Sequence, residues 1–171
     1  EDALVSTLSL LVLKLALQSF DPDDLPPDVE IVAWSFYYQV DPHVSLAVAS
    51  CESGSVPDAD GGRDLVVSKG NYGRFQVRCK TWKNVFALAG CDRLLDRHTN
   101  IRIGVSILRR IQDVYAGRSP FSGDLGWVGH YNEGVVLTLG GPGQAYAQRL
   151  QARIRRSQYL ARRRFGTFRG W

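Results

Sequence analysis

A mainly α-helical fold is predicted for this chain on three observations. Apolar residues recur at helical spacing in several segments, capping and stopping residues bracket those segments, and no segment shows sustained strand alternation. With 171 residues, 44% apolar and 22% charged, the chain suits one compact domain with a sizeable core and is short for two.

The first apolar stretch, Ala3 to Leu17, is 15 residues long and interrupted by Lys14, short of the roughly 20 needed to span a bilayer. It reads as a packed helix, and no transmembrane segment is expected. Beginning Glu1-Asp2 with no positive leading region, it makes a poor signal peptide, so a mature product or an excised fragment is expected. Asp21-Pro-Asp-Asp-Leu-Pro-Pro27 then breaks the chain. A second helix is predicted from about Asp28 to Gln39, with Val29, Val32, Ala33, Phe36 and Tyr37 as its apolar stripe. Asp41 caps a third helix that carries Pro42 at its first position and stops at Gly54.

Residues 54–71, rich in Gly, Asp, Ser and Pro, form a long loop, and a loop of that length in a compact domain tends to be functional. Gly73 to Lys80 suggests a short helix. Thr99 caps a longer one from Asn100 to Tyr115, ended by Gly117, with Ile101, Gly104, Val105, Leu108, Ile111 and Tyr115 inward. Ser122 can cap a short helix through His130, and a last helix runs from Gln144 to about Arg163 with Ala147, Leu150 and Ile154 inward. Asp64 to Ser68 and Val135 to Leu139 could form short strands, which leaves room for a small β-hairpin. Trp34, Phe36, Tyr37 and Tyr38 are expected mainly in the core, as are Trp82 and Trp127, although the last two could instead form a binding platform.

Charge is distributed unevenly. Through Glu133 the chain has 13 basic and 17 acidic residues, and beyond it 8 basic residues and no acidic ones. The basic end, Arg153 to Phe165, could contact nucleic acid, anionic lipid or an acidic wall polymer, although such a run is usually a solvated helix face. Cys51, Cys79 and Cys91 show no C-x-x-C spacing. Cys79 and Cys91 could close a short loop in an oxidising compartment, with Cys51 a buried thiol, or all three could be free. His43, His98 and His130 lack metal-ligand spacing, so no metal or other cofactor is expected.

Glu52 is the leading candidate for chemistry. It ends the apolar run Pro42 to Cys51 and is followed at once by Ser53-Gly54, a placement that suits a carboxylate at the mouth of a cleft. An isolated Glu titrates at about 4.3. Apolar surroundings and the negative end of a helix dipole both disfavour the anion and would keep it protonated, as a general acid requires. By position alone, a solvated residue at the end of a helix is the favoured reading.

Three blocks alter that balance: Glu52-Ser53-Gly54, then Ser68-Lys-Gly-Asn-Tyr-Gly-Arg-Phe-Gln76, then His130-Tyr-Asn-Glu-Gly134. Together they resemble the lysozyme-like lytic transglycosylases, the family that includes the soluble lytic transglycosylase catalytic domain and is related to goose-type lysozymes. That family's pattern is E-S-G, S-x-x-G-A-x-G-L-M-Q and A-Y-N-x-G, in this order. Asn100-Ile-x-x-Gly104-x-x-x-Leu108 is similar to its N-I-x-x-G helix, and Cys79 and Cys91 sit where some members carry a pair. The likeness covers about Ile31 to Leu150. It implies a lysozyme-like helical domain at residues 26–158, flanked by a leading helix and linker at 1–25 and a basic tail at 159–171.

The resemblance implies Glu52 as sole catalytic acid and base, cutting the β-1,4 bond between N-acetylmuramic acid and N-acetylglucosamine in peptidoglycan and leaving a 1,6-anhydromuramyl end. It implies substrate contacts from Gln76, Tyr131 and Asn132, and less directly from Ser68 and Tyr146. Tyr131 would hydrogen-bond the catalytic carboxyl. Gln76 would bind N-acetyl groups through an amide that both donates and accepts. Ser53 is expected to stabilise the turn, and Gly73 and Gly134 to be points of positive φ or close approach. Two departures stand out: Arg74-Phe75 replaces the family's L-M, and His130 replaces its small residue, and either could alter subsite shape. Goose-type lysozymes that hydrolyse with inversion generally add an acidic residue soon after the Gln, and here Arg78 follows Val77, which favours transglycosylation. Asp58, Asp60, Asp64 or Glu133 could still position a water for a goose-type-like muramidase. A catalytically silent wall-binding module and nucleic-acid binding by the basic end are the readings from other classes. The implied setting is the periplasm or cell envelope, or a phage particle.

Overall fold

The computed structural model describes residues 25–57, 61–119, 125–134 and 139–165, with side chains described as far as residue 156. The leading stretch Ala3–Leu17, Asp58, Asp60, the cap at Ser122, residues 135–138 of the second strand candidate and the last six residues of the basic tail lie outside them. Helices predominate, accompanied by one three-stranded antiparallel sheet in the order β1-β2-β3. Among the described residues no helix is long and apolar enough to cross a membrane. The chain divides into two compact units, one ending at Ile107 and the other beginning at Leu108. That boundary falls inside a continuous helix, where no linker composition marks it.

In the first unit, α1 (Pro27–Tyr38) starts on a proline at its first position and ends at Gln39, whose φ of 57° closes the helix in the left-handed region. Its buried face differs from the predicted stripe. Glu30, Ile31, Ala33 and Ser35 are buried, while Val29, Phe36 and Tyr37 are exposed. The reason is polar satisfaction: the Glu30 carboxylate lies 3.0 Å from His98 Nδ1, and Ser35 Oγ donates to Ile31 O at 2.6 Å. Polar groups with partners can be buried, so a face judged on hydrophobicity alone was misplaced. The expected aromatic core likewise gives way to mutual packing, with Trp34 stacked on Tyr38 and edge-on to Tyr37.

The predicted third helix is observed as α2 (Pro42–Ser53). Asp41 Oδ1 accepts from His43 N at 2.8 Å, and Gly54 N donates back to Ser50 O at 3.0 Å. Val44 and Val48 are fully buried on α2, which packs against α1.

The expected hairpin is present. β1 (Val67–Ser68) pairs with β2 (Asn71–Tyr72) across Lys69 and Gly70, whose φ values of 51° and 81° define the turn favoured by twisted strands. The short helix expected over Gly73–Lys80 is mostly replaced by a second turn and β3 (Val77–Arg78). Gly73 and Gln76 have φ of 69° and 47°, which no right-handed helix accommodates, so only α3 (Cys79–Trp82) is helical there. Cys79 is disulfide-bonded to Cys91 with Cα atoms 5.7 Å apart, and Cys51 is half-buried outside any disulfide. Trp82, expected in the core, is half-buried against Phe86.

Next, α4 (Arg97–Tyr115) follows a 3-10 turn at Cys91–Leu95. Its cap is Asp96 rather than Thr99: Asp96 Oδ1 accepts from Thr99 N at 2.8 Å, and Asn100 N donates to Asp96 O at 2.9 Å. Both residues are acceptable caps, and the sequence offered no means of choosing. Burial alone would raise the Asp96 carboxyl, but hydrogen bonds from the Thr99 side chain and backbone, with the charges of His98 and Arg93, hold it below the usual aspartate range. A folded value lower than the unfolded one of about 3.9 stabilises the protein above that pH, and the contribution is lost as pH falls through the folded value. Asp96→Ala should therefore cost about 0.5–2 kcal/mol at pH 7 by thermal denaturation. The gap to wild type should shrink below about pH 4, and a gap that widens there would contradict the assignment.

In the second unit, the remainder of α4 ends before Gly117, where φ is 73°. The helix predicted through His130 resolves into a 3-10 turn at Gly126–Val128 and α5 (Gly129–Glu133), with Trp127 buried as expected. Both pack on α6 (Pro142–Phe165), where Ala147, Leu150 and Ile154 are inward as predicted. α6 continues through the first residues expected to form the tail. Glu133, one of the candidates to position a water, accepts from Gly143 N in the first turn of α6 at 2.9 Å. A carboxylate there satisfies one of the unpaired helix donors and complements the positive end of the helix.

Candidate functional site

Glu52 occupies the last turn of α2 and is half-buried. The residue after it explains how that turn is held. Ser53, 1% exposed, shares its hydroxyl proton between Arg74 O at 2.8 Å and Ala49 O at 3.1 Å, and accepts from Arg63 Nε at 3.1 Å. Its expected role in stabilising the turn is therefore observed. The same bonds bring the Glu52-Ser53-Gly54 segment against the Ser68–Gln76 segment, 21 residues further along.

Arg74 does not face a subsite. It is fully buried, and its guanidinium donates Nε to Asp64 Oδ1 at 2.8 Å and Nη2 to Asp64 Oδ2 at 3.1 Å. Two parallel charge-assisted bonds satisfy both partners, which makes burial of the pair tolerable. The guanidinium that could have altered subsite shape is instead structural. Asp64, a candidate for positioning water, is committed to the same pair.

Gln76 is 9% exposed and holds a φ of 47°. Its amide nitrogen donates to Gly73 O at 2.8 Å and Val66 O at 3.1 Å. Both amide hydrogens are thus engaged by the two hairpin segments. A sugar ligand would meet Gln76 as an acceptor through Oε1, and the expected simultaneous donation is replaced by backbone bonds. Ser68 ends β1 opposite Asn71 and is exposed, where its hydroxyl is accessible.

Asn100, fully buried on α4, supports this segment from beneath. Its Oδ1 accepts from Phe75 N at 2.9 Å, and its Nδ2 donates to Tyr72 O at 2.8 Å and Leu94 O at 2.9 Å. Gly73 lies so close that a side chain there would overlap the Asn100 amide, and a side chain at Gly104 would overlap the Phe75 ring. Asn100 and Gly104, four residues apart, are the two points at which α4 receives the Gln76 turn.

Tyr131 and Asn132 lie on α5 and Tyr146 on α6, all in the second unit. Tyr131 is half-buried and Asn132 exposed, whereas Tyr146 is 3% exposed, with Arg149 5.9 Å from its ring centroid. His130 is a packing residue: its ring stacks on Tyr115 at 3.6 Å, and Nδ1 donates to Gly134 O at 2.7 Å. That bond draws the chain back at Gly134, whose φ is 90°. The sequence reading passed over Arg63 entirely and did not find the Asp64–Arg74 pair. Partners ten residues apart across a loop leave no local pattern. No family model, curated protein or solved structure matches the chain.

Proposed function

We propose that this chain is a peptidoglycan lytic transglycosylase of the lysozyme-like kind, with Glu52 as its single acid and base. The observation that carries the reading is the seam between the Glu52-Ser53 turn and the Arg74-Phe75-Gln76 turn, closed by the 2.8 Å bond from Ser53 Oγ to Arg74 O. It joins the turn that carries the half-buried Glu52 to the turn that leads into Gln76. These are two of the three segments on which the family resemblance rests.

The chemistry follows from one carboxyl. Protonated Glu52 donates to the glycosidic oxygen as oxocarbenium character develops at C1 of the muramyl residue, and the aglycone departs as the alcohol. The Glu52 carboxylate then removes the proton from the muramyl 6-hydroxyl while that oxygen bonds to C1. The carboxyl is reprotonated by the 6-hydroxyl proton while its original proton leaves on the aglycone alcohol, no water is consumed, and the product is a 1,6-anhydro ring. Substrate groups take the place of a second enzyme carboxylate, a recognised exception to the paired arrangement. Two residues that could have positioned a water, Asp64 and Glu133, are held by Arg74 and by Gly143 N, which supports this route over hydrolysis.

Gln76 would accept a hydrogen bond from the sugar through Oε1, and Tyr131 and Asn132 keep the substrate roles that the resemblance implies for them. The Cys79–Cys91 bridge suits an oxidising compartment, in keeping with action in the cell envelope or delivery there by a phage particle. Incubation with purified sacculi should release soluble muropeptides. Folded protein that releases none would contradict the reading.

A further inference from the structure

The loop before the hairpin contributes a closed ring of contacts around the turn that carries Glu52. Arg63 Nη2 donates to Ala49 O at 2.8 Å and Arg63 Nε to Ser53 Oγ at 3.1 Å. Ser53 Oγ donates to Arg74 O at 2.8 Å, and the Arg74 guanidinium grips Asp64, the residue bonded covalently to Arg63. Starting at Arg63, the path therefore runs through Ser53, Arg74 and Asp64 and returns to Arg63.

Each link is suited to holding position. Ala49 and Ser53 lie on either side of Glu52 in the final turn of α2. A planar guanidinium reaching two acceptors fixes direction as well as distance, which a lysine ammonium cannot do. Arg63 is next in sequence to Asp64, whose carboxylate is anchored to the fully buried Arg74 guanidinium.

We infer that Arg63, oriented by the buried Asp64–Arg74 pair, is a positioning residue that holds the last turn of α2 and so fixes the Glu52 carboxyl for proton transfer. This inference rests on the proposed reaction. It adds that the loop at residues 61–64 is part of the machinery, and that Arg74 acts through its carbonyl and its pair with Asp64 rather than by touching sugar.

The test compares wild type, Arg63→Ala and Arg63→Lys on sacculi, with thermal midpoints measured in parallel. Misplacement of a catalytic group by about 1 Å can cost on the order of 100-fold in rate. Arg63→Ala should therefore lower kcat by roughly 10- to 100-fold with KM unchanged. Arg63→Lys should fall between Arg63→Ala and wild type. If Arg63→Ala does not fold, Arg63→Lys alone decides, through a lowered kcat at unchanged KM. Folded variants with wild-type kcat, or with a raised KM alone, would overturn the inference while leaving the proposed reaction standing. A wild type inactive on sacculi would overturn both.

Discussion

Glu52→Gln should abolish release of soluble muropeptides from sacculi while leaving the fold in place. The amide matches the carboxyl in size and can accept or donate a hydrogen bond, but it cannot deliver a proton to a departing oxygen. Positioned acid–base catalysis contributes about 10²–10⁴-fold. In the proposed reaction one group serves both half-reactions, so the loss should reach or exceed the upper end of that range. Glu52 is half-buried at a helix end, the amide keeps the size of the carboxyl, and the bonds from Ser53 Oγ to Arg74 O and Ala49 O stay in place. Thermal stability should therefore shift by no more than about 1 kcal/mol. The variant's turnover, followed as muropeptide release beside its circular dichroism, checks both halves. Turnover within tenfold of wild type would remove Glu52 from its assigned role.

The second large effect concerns the scaffold. Asn100→Ala removes an amide that answers three buried backbone groups, Phe75 N–H, Tyr72 C=O and Leu94 C=O. Each group left without a partner costs about 1–3 kcal/mol. Some relaxation is expected, so the total should be about 3–5 kcal/mol, measured by urea denaturation. A typical domain has only about 5–15 kcal/mol in all. Residual folded protein should also lose activity, because the Gln76 turn would no longer be seated on α4. Asn100→Asp should not rescue it, since a carboxylate keeps the acceptor for Phe75 N–H but loses both donors. A cost below about 1 kcal/mol for Asn100→Ala would show that α4 does not hold the turn.

How much of this was legible depended on whether the deciding interaction was local. The Asp41-Pro42 start and Gly54 stop of α2 act within one helical turn, and they located Glu52 at its end. The inward face of α6 follows 3.6-residue spacing, and Ala147, Leu150 and Ile154 were foreseen; on α4 Ile101, Gly104, Val105, Leu108 and Ile111 were foreseen, but Ile103 and Ile107 are buried too, because that helix is covered on more than one side.

Where polar groups determine burial, the pattern misled. On α1 the carboxylate of Glu30 is inside because His98, 68 residues away, reaches it. Hydrophobic spacing instead placed Val29, Phe36 and Tyr37 inward. The Gly73–Lys80 segment looked helical because its apolar residues are closely spaced. Its conformation is set by Gly73 and Gln76 in the left-handed region, with Gln76 held by two carbonyls.

The candidate site divides in the same way. Glu52, Ser68, Gln76, Tyr131 and Asn132 are proposed from their motif blocks, and Tyr146 from its place after them. Arg63, Asp64 and the roles of Arg74 and Asn100 were not, because each acts through contacts across loops. Asn100 and Gly104 had been noticed as a pair, yet their function as the seat for Phe75 and Gly73 needs the fold.

The most direct measurement is mass spectrometry of the glycan ends in the soluble muropeptides. The account predicts ends one water lighter than hydrolysis products and inert to borohydride, because the muramyl 6-oxygen has closed on C1. Borohydride-reducible ends at the hydrolytic mass would contradict it.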